Sequence, residues 1–208
     1  MPRIIRKHQP PYSKNYTKYK PYLRQDFSYR CAYCTIHEGE FGGLRNFVVE
    51  HFRPRWKFPE MECEYTNLYY ACSICNNCKG KHWPSNEDIA KGLRFSDPCE
   101  EDIYEIHFCE RNDGHLNPLT PCGDYTITHI RLNRLHLVRL RRRRREGQTK
   151  IREVRMLIDD LEAKLSNVEL RQRQNIKREL ELLKNYLQIL DEQFVNPRIP
   201  YEEEDLHT

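Results

Sequence analysis

The chain lacks any run of roughly 20 consecutive apolar residues, which excludes a membrane-spanning helix. Its first twenty residues are basic and aromatic, and they contain no continuous apolar segment of the kind found in secretory signal peptides. Apolar residues make up only 38% of the 208 positions and charged residues 32%, too polar a balance for a large sandwich or barrel. We therefore expect a cytoplasmic protein with a small globular head and long solvated helices.

Composition divides the chain into four segments, and together they predict an α+β fold. Residues 1–30 predict a basic, aromatic arm whose first twenty residues are extended and lie over the head. Residues 31–82 carry two cysteine pairs and a β-type run at 46–49. Residues 83–132 contain frequent Pro and Gly around β-like runs at 103–109 and 125–130, so they predict a small β-rich extension. Residues 133–208 are rich in helix formers, with Gly and Pro rare until Pro197.

The last segment predicts a helical hairpin. Asn133 is a suitable N-cap, and two apolar stripes follow at spacings of three and four, at positions 151, 154, 158, 161 and 165 and at positions 176, 180, 183, 187, 190 and 194. Between them, Ser166 and Glu169 match a capping box, which predicts that a second helix starts there; one continuous helix is the alternative. A first helix of about 50 Å would extend beyond the head, so we expect a partner protein or a homodimer through this tail.

Two Cys-x-x-Cys pairs predict a structural Zn²⁺ site. Nine cysteines in a reducing compartment favour metal ligation over disulfides. Each pair can direct two thiolates at one tetrahedral ion, and the predicted ligands are Cys31, Cys34, Cys72 and Cys75. Cys78 extends the second pair and could, on spacing alone, replace Cys72.

The residues between and after these pairs resemble the HNH, or ββα-metal, endonuclease motif. The matching elements are an acidic residue before a histidine, an Asn-Leu, and a second cysteine pair followed at once by Asn and four positions later by Lys, here Glu50, His51, Asn67, Asn76 and Lys79. The resemblance implies a zinc-stapled ββα head with Cys78 outside the zinc shell. It also implies that His51 is the general base and that Asn67 pins the loop that orients it.

The chemistry of phosphodiester hydrolysis fits these residue types. A neutral histidine near pH 7 can deprotonate water, which gives His51 its candidate role. A hard cation such as Mg²⁺ or Mn²⁺ prefers oxygen ligands, which Glu50 and Asn76 offer. Glu50 stands where the family more often has Asp, and its longer side chain shifts the ion or the strand slightly. A hydrogen-bonded structural histidine is the alternative for His51.

Several basic residues are candidates for nucleic-acid binding. Arg53 and Arg55 follow the candidate base closely, and Lys79 belongs to the motif. A basic run on a predicted helix adds Arg141, Arg142, Arg143, Arg144 and Arg145. Solvated charges, or a docking surface for an acidic protein, are the alternatives for the run.

Softer matches resemble the Septu-type anti-phage defence HNH proteins and their retron-associated relatives; they lie at residues 3–7, 30–34, 49–54, 95–98, 126–127 and 132–134. This resemblance implies a bacterial effector that cuts phage or host DNA under the control of an ABC-type ATPase partner. Two alternatives stay open: a non-catalytic zinc-ribbon module that binds nucleic acid or scaffolds a complex, and a restriction-type HNH enzyme that works alone. The sequence does not distinguish DNA from RNA as the substrate.

Overall fold

The structure, a computed structural model, describes residues 3–165, 168–195 and 197. It is an α+β fold, and the chain divides into two compact units at residue 139. The helices in the described residues are α1 (Lys20–Asp26), α2 (Ser73–Lys79), α3 (Asn86–Ala90), α4 (Ile103–Ile106), α5 (Pro121–Ile130), α6 (Leu135–Lys164) and α7 (Leu170–Phe194). The strands are β1 (Phe47–His51), β2 (Leu68–Cys72), β3 (Phe108–Glu110) and β4 (Leu116–Pro118). None of the helices described combines the length and apolarity needed to cross a membrane.

The centre of the first unit is an antiparallel pair of strands followed by a short helix. In the register of β1 and β2, Phe47 lies opposite Cys72 and His51 opposite Leu68. All five residues of β2 are buried, so this strand forms the middle of the core. The β-type run predicted at 46–49 is confirmed from Phe47 onward, while Asn46 ends a 3₁₀ turn, and the strand continues to His51. Helix α2 follows β2 directly and ends at Lys79, and Gly80 caps it with a φ of 53°.

The N-terminal arm is extended only in part. Residues 3–15 have no regular secondary structure, but a 3₁₀ turn at Tyr16–Tyr19 and then α1 follow, so the extended segment expected to reach residue 20 is shorter than predicted. Pro21 stands in the first turn of α1, where a missing N–H costs no hydrogen bond. The arm lies over the head as expected, because the Ile4 amide donates to the Pro98 carbonyl at 2.7 Å and the Arg6 guanidinium donates to the Leu68 carbonyl at 2.8 Å.

The segment at 83–132 is more helical than its composition predicts. The run at 103–109 begins as α4 and becomes a strand only at Phe108, and the run at 125–130 lies entirely within α5. Both helices are capped: Asp102 accepts a hydrogen bond from the Glu105 amide, and Thr120 accepts one from the Gly123 amide. These caps and a buried helical face outweigh the β preference of the branched residues. The β-rich expectation was therefore wrong, apart from the short β3–β4 ladder.

The second unit contains the predicted helical hairpin. Helix α6 begins at Leu135, two residues after the expected cap, and its 30 residues span about 45 Å. Helix α7 restarts at Leu170, so the single continuous helix is excluded. Ser166 lies outside the described residues, which leaves the capping box untested. The two apolar stripes pack together around a buried cluster formed by Ile151, Val154, Ile158, Leu180 and Leu190.

Candidate functional site

The four predicted zinc ligands converge in the core of the first unit. Cys31, Cys34, Cys72 and Cys75 are buried, and their sulfur atoms all lie within 4.8 Å of one another. The Cys34 and Cys72 sulfurs are 3.8 Å apart, close to the separation of about 3.8 Å between ligands on a tetrahedral ion with bonds of about 2.3 Å. Cys78 is outside this cluster, as the HNH register requires. The cluster could hold one soft metal ion.

Local backbone geometry explains this convergence. Thr35 has a φ of 60°, and its amide donates to the Cys31 carbonyl at 3.0 Å, which closes a tight turn around the first pair. In the second pair, Cys72 is the N-cap of α2, so its sulfur and that of Cys75 point in the same direction. Hydrogen bonds from the Cys31, Cys34 and Cys75 thiols lower the pKa of Cys72, which favours the thiolate that binds a metal.

Arg134 contacts the cysteine cluster, although the sequence does not predict this role. Its guanidinium lies 3.3 Å from the Cys75 sulfur and 3.6 Å from that of Cys78, and it also donates to the Ile130 carbonyl at 2.7 Å. A cation beside thiolates offsets the negative charge of a four-cysteine metal site. Sequence spacing contains no signal for this contact, because 59 residues separate Arg134 from Cys75.

An open cavity of about 480 Å³ lies at the end of β1 and beside α2. It brings together four of the predicted site residues, namely Glu50, His51, Asn76 and Arg55. The other residues that line it are Pro54, Trp56, Glu62, Gly80 and Lys81. Volumes from about 300 to 1,000 Å³ are typical of sites for small organic groups.

His51 is held in one tautomer at this cavity. Its Nε2 lies 2.9 Å from the Glu62 carbonyl, which only accepts hydrogen bonds, so Nε2 carries the proton and Nδ1 of the neutral ring is the basic atom. Burial lowers the pKa of His51, the Glu62 carbonyl partly opposes this shift, and the positive charge of Arg55 adds to it. The Tyr16 ring packs edge-on against the imidazole at 4.7 Å. The result is a neutral, oriented imidazole near pH 7.

Asn67 forms hydrogen bonds that hold the loop containing the Glu62 carbonyl. Its side-chain oxygen accepts from the Arg53 amide at 2.8 Å, and its side-chain nitrogen donates to the carbonyls of Arg53 and Met61 at 3.0 and 3.2 Å. Met61 precedes Glu62, whose carbonyl meets His51. Asn67 itself is buried and does not line the cavity.

Lys79 is buried, which corrects its expected role in binding nucleic acid. Its ammonium donates to Glu50 Oε1 at 2.5 Å and to the His51 carbonyl at 2.8 Å, and its side chain is 1% exposed. The other oxygen of Glu50 accepts from the Tyr33 hydroxyl at 2.6 Å. Burial, together with the charge of Glu50, raises the pKa of Tyr33, so this hydroxyl stays protonated and donates. Lys79 therefore fixes Glu50 and the end of β1 and is not available to a phosphate.

The two arginines after the candidate base differ in position. Arg55 lines the cavity, where it pairs with Glu62 at 2.7 Å and lies over the Tyr16 ring at 5.3 Å. Arg53 is exposed but does not line the cavity, and its guanidinium lies over the Phe58 ring.

The basic run on α6 is not a uniform exposed patch. Arg141 is buried, which is a correction because a buried guanidinium cannot meet a phosphate. Arg142 and Arg143 are exposed; the first pairs with Glu146 at 3.5 Å, and the second lies over the Phe194 ring at 5.6 Å. Arg144 and Arg145 are half-buried.

A second group of side chains of the types that bind metals lies away from the cavity, and no spacing pattern in the sequence predicts it. Glu101, His107 and Cys122 offer ligand atoms within 4.8 Å of one another. Both carboxylate oxygens of Glu101, however, accept from the Arg94 guanidinium, at 2.8 and 2.9 Å. The guanidinium already pairs with the carboxylate, so this group is a partly buried ion network.

Comparison with known proteins reveals one similarity. The chain is 31% identical over 74 residues to the Septu protein PtuB of Bacillus thuringiensis. The aligned segment covers 34% of this chain and 28% of that protein. No protein family model matches the chain, and no solved structure does. The similarity supports a relationship to a Septu protein over about a third of the chain.

Proposed function

We propose that this chain is a metal-dependent HNH endonuclease that hydrolyses phosphodiester bonds in nucleic acid. The observation that carries the proposal is the position of His51. Its imidazole lines an open cavity with Glu50 and Asn76, and a carbonyl on Nε2 leaves Nδ1 as the basic atom. A zinc ribbon that serves only as a scaffold has no need for an oriented base beside two oxygen donors.

The reaction needs His51 to take a proton from water through Nδ1 while the water oxygen attacks phosphorus. The bond from phosphorus to the leaving oxygen then breaks, and that oxygen takes a proton from solvent. Arg55 is the cavity residue suited to binding the phosphate. Asn67 acts as a positioning residue, because its hydrogen bonds hold the loop whose carbonyl orients His51.

Two metal sites belong to the proposal. The four buried cysteines suit a structural Zn²⁺, because their spacing matches a tetrahedral sulfur shell. Glu50 and Asn76 would hold a catalytic Mg²⁺ or Mn²⁺ at the cavity, where the ion offsets charge that builds on the phosphate. One Glu50 oxygen accepts a hydrogen bond from Lys79 and the other accepts one from Tyr33, and each oxygen has a second lone pair for the ion.

In the cell, we propose that the enzyme is a cytoplasmic anti-phage effector of the Septu type that acts on phage or host DNA. The similarity to a Septu protein supports this context. Its control by an ABC-type ATPase is part of the proposal. The helical hairpin is the surface available for that partner or for a second copy, since Leu182, Tyr186 and Ile189 leave 66%, 45% and 59% of their surface exposed on α7.

One observation favours a second candidate, a non-catalytic zinc module that binds nucleic acid. The Lys79 ammonium already neutralises Glu50, and a nearby cation weakens divalent-metal binding at that carboxylate. A module of this kind would keep the zinc site and the exposed Arg142 and Arg143, and it would bind nucleic acid without cutting it.

The test is cleavage by the purified, zinc-loaded chain. Labelled DNA and RNA are incubated with Mg²⁺ or Mn²⁺ and with EDTA, with the protein alone and with any ATPase that copurifies. We expect cutting that requires the added metal and disappears in His51→Ala, while the exposed control His115→Ala cuts normally. Binding without cutting under every condition, with zinc retained and the partner present, would establish the non-catalytic module instead.

A further inference from the structure

Trp56 exposes a large aromatic surface at the same cavity. Its side chain is 61% exposed, unusual for a tryptophan, and it lines the cavity with His51 and Arg55. The indole N–H donates to the Lys81 carbonyl at 2.8 Å. This hydrogen bond fixes the edge of the ring and leaves its face open. The ring is therefore oriented before any ligand arrives.

The neighbouring rings of Tyr16 and Phe58 already pack against other rings. Tyr16 packs edge-on against His51, and Phe58 packs edge-on against Trp83 at 5.5 Å. Within the part of the chain that the structure describes, no ring or cation packs on the Trp56 indole. A flat apolar face beside a candidate phosphate site has the form of a stacking platform for nucleobases.

The charges around the ring indicate what kind of molecule would reach it. Arg55 and Lys81 line the cavity, where Arg55 is paired with Glu62. Lys57 adds a further positive charge as an exposed neighbour of Trp56 in the chain. Interleaved cations and an aromatic face are the combination with which proteins bind single strands: the cations meet the backbone, and the ring stacks on a base. In an intact duplex the bases are stacked on one another, so a surface ring reaches a base face only where the bases are unpaired.

We propose that Trp56 stacks on an unpaired base next to the scissile phosphate, so that the site takes single-stranded or locally unpaired nucleic acid. This inference rests on the proposed nuclease function and adds a substrate class to it. Stacking depends on the face of a base and not on its hydrogen-bonding edge. The site therefore prefers unpaired over paired strands and does not prefer a particular base.

The experiment measures binding in a chain that cannot cut, so the full-length, zinc-loaded His51→Ala protein is the parent. Its tryptophan fluorescence is titrated with oligothymidylate, with an abasic oligonucleotide of equal length, and with a blunt duplex. Trp83→Phe in this parent isolates the signal of Trp56, and Trp56→Phe isolates that of Trp83, since the chain has two tryptophans. Zinc content and circular dichroism confirm that each variant is folded.

We expect oligothymidylate to quench Trp56 and the abasic strand and duplex to leave its emission nearly unchanged. Trp56→Ala should weaken oligothymidylate binding about tenfold or more and leave binding of the abasic strand the same. Equal oligothymidylate affinity for Trp56→Ala and its parent would overturn the inference, as would equal quenching by the abasic strand. If oligothymidylate quenches Trp56 but the wild-type protein never cuts nucleic acid, the stacking inference holds and the nuclease proposal fails. The two failures are therefore distinguishable.

Discussion

Glu50 and Lys79 form a buried ion pair whose members are 3% and 1% exposed. A buried pair adds little net stability, but removal of one partner leaves an uncompensated charge in the core. We predict that Lys79→Met lowers the free energy of unfolding by about 3–5 kcal/mol, measured by urea denaturation of the zinc-loaded protein. The double variant Glu50→Gln, Lys79→Met should recover much of the loss. Lys81→Met, at a nearby exposed lysine, is the matched control, and a loss equal to that control would contradict the account.

The residues of the cavity show what spacing predicts about a site. The motif grouped Glu50, His51 and Asn76, and the structure brings all three to one cavity. The predicted role of Lys79 in binding nucleic acid was wrong, although the sequence contains a signal for its burial. Lys79 lies four positions after Cys75 on α2, and residues with this spacing share a helix face. A face that buries Cys75 also buries Lys79. The hydrogen-bond partner of His51 could not be predicted, because it is a backbone carbonyl and has no sequence signature.

Gly147, in the middle of α6, permits a close approach between the two helices of the hairpin. A Cβ atom at this position would lie 2.3 Å from Cγ of Phe194. An Ala in place of Gly in a helix ordinarily stabilises it by about 1 kcal/mol. We predict that Gly147→Ala instead destabilises the hairpin, seen as faster hydrogen exchange of the α6 and α7 amides in the intact protein.

The matched background for this prediction is Phe194→Ala, which removes the obstructing ring. In that background, Gly147→Ala should slow exchange by restoring the ordinary helix preference. If Gly147→Ala also slows exchange in the wild-type background, the Phe194 ring moves aside without cost. That result would refute the claim that Gly147 is needed for the close approach of α6 and α7.

Local signals predicted some elements well and misled on others. The spacing of apolar residues predicted both helices of the hairpin, because a repeat of three and four over many turns has no strand equivalent. The run at 125–130 is short and rich in β-branched residues, a composition that favours a strand. The signal that decides it lies upstream: Thr120 is an N-cap and Pro121 occupies the first turn, which together start α5.

We expect zinc binding at the four-cysteine cluster to stabilise the whole first unit. Since a site of this kind does not exist in the unfolded chain, its binding energy becomes folding energy. We predict about one zinc per chain by metal analysis, retained in Cys78→Ser and lost in Cys75→Ser. Chelation should leave residues 3–139 sensitive to protease. Zinc loss from Cys78→Ser, with Cys75→Ser unaffected, would contradict the assignment of ligands.

The observed division of the chain differs from the one predicted by composition. The segment expected to begin at residue 133 begins at Leu140, seven residues later and inside α6. Leu137 and Val138 at the start of α6 are buried, and both belong to the first unit. A helix that begins in one unit and continues into the next has uniform composition across the boundary, so composition alone does not reveal the change.

Chemical rescue of the base is the most direct test of the central claim that His51 activates water for phosphodiester hydrolysis. The measurement is the single-turnover cleavage rate of zinc-loaded wild type and of His51→Ala in Mg²⁺, with and without added imidazole. The account predicts a rate for His51→Ala that is lower by about 10²-fold or more and rises when imidazole is added. Equal rates for the two proteins, at equal zinc content, would contradict it.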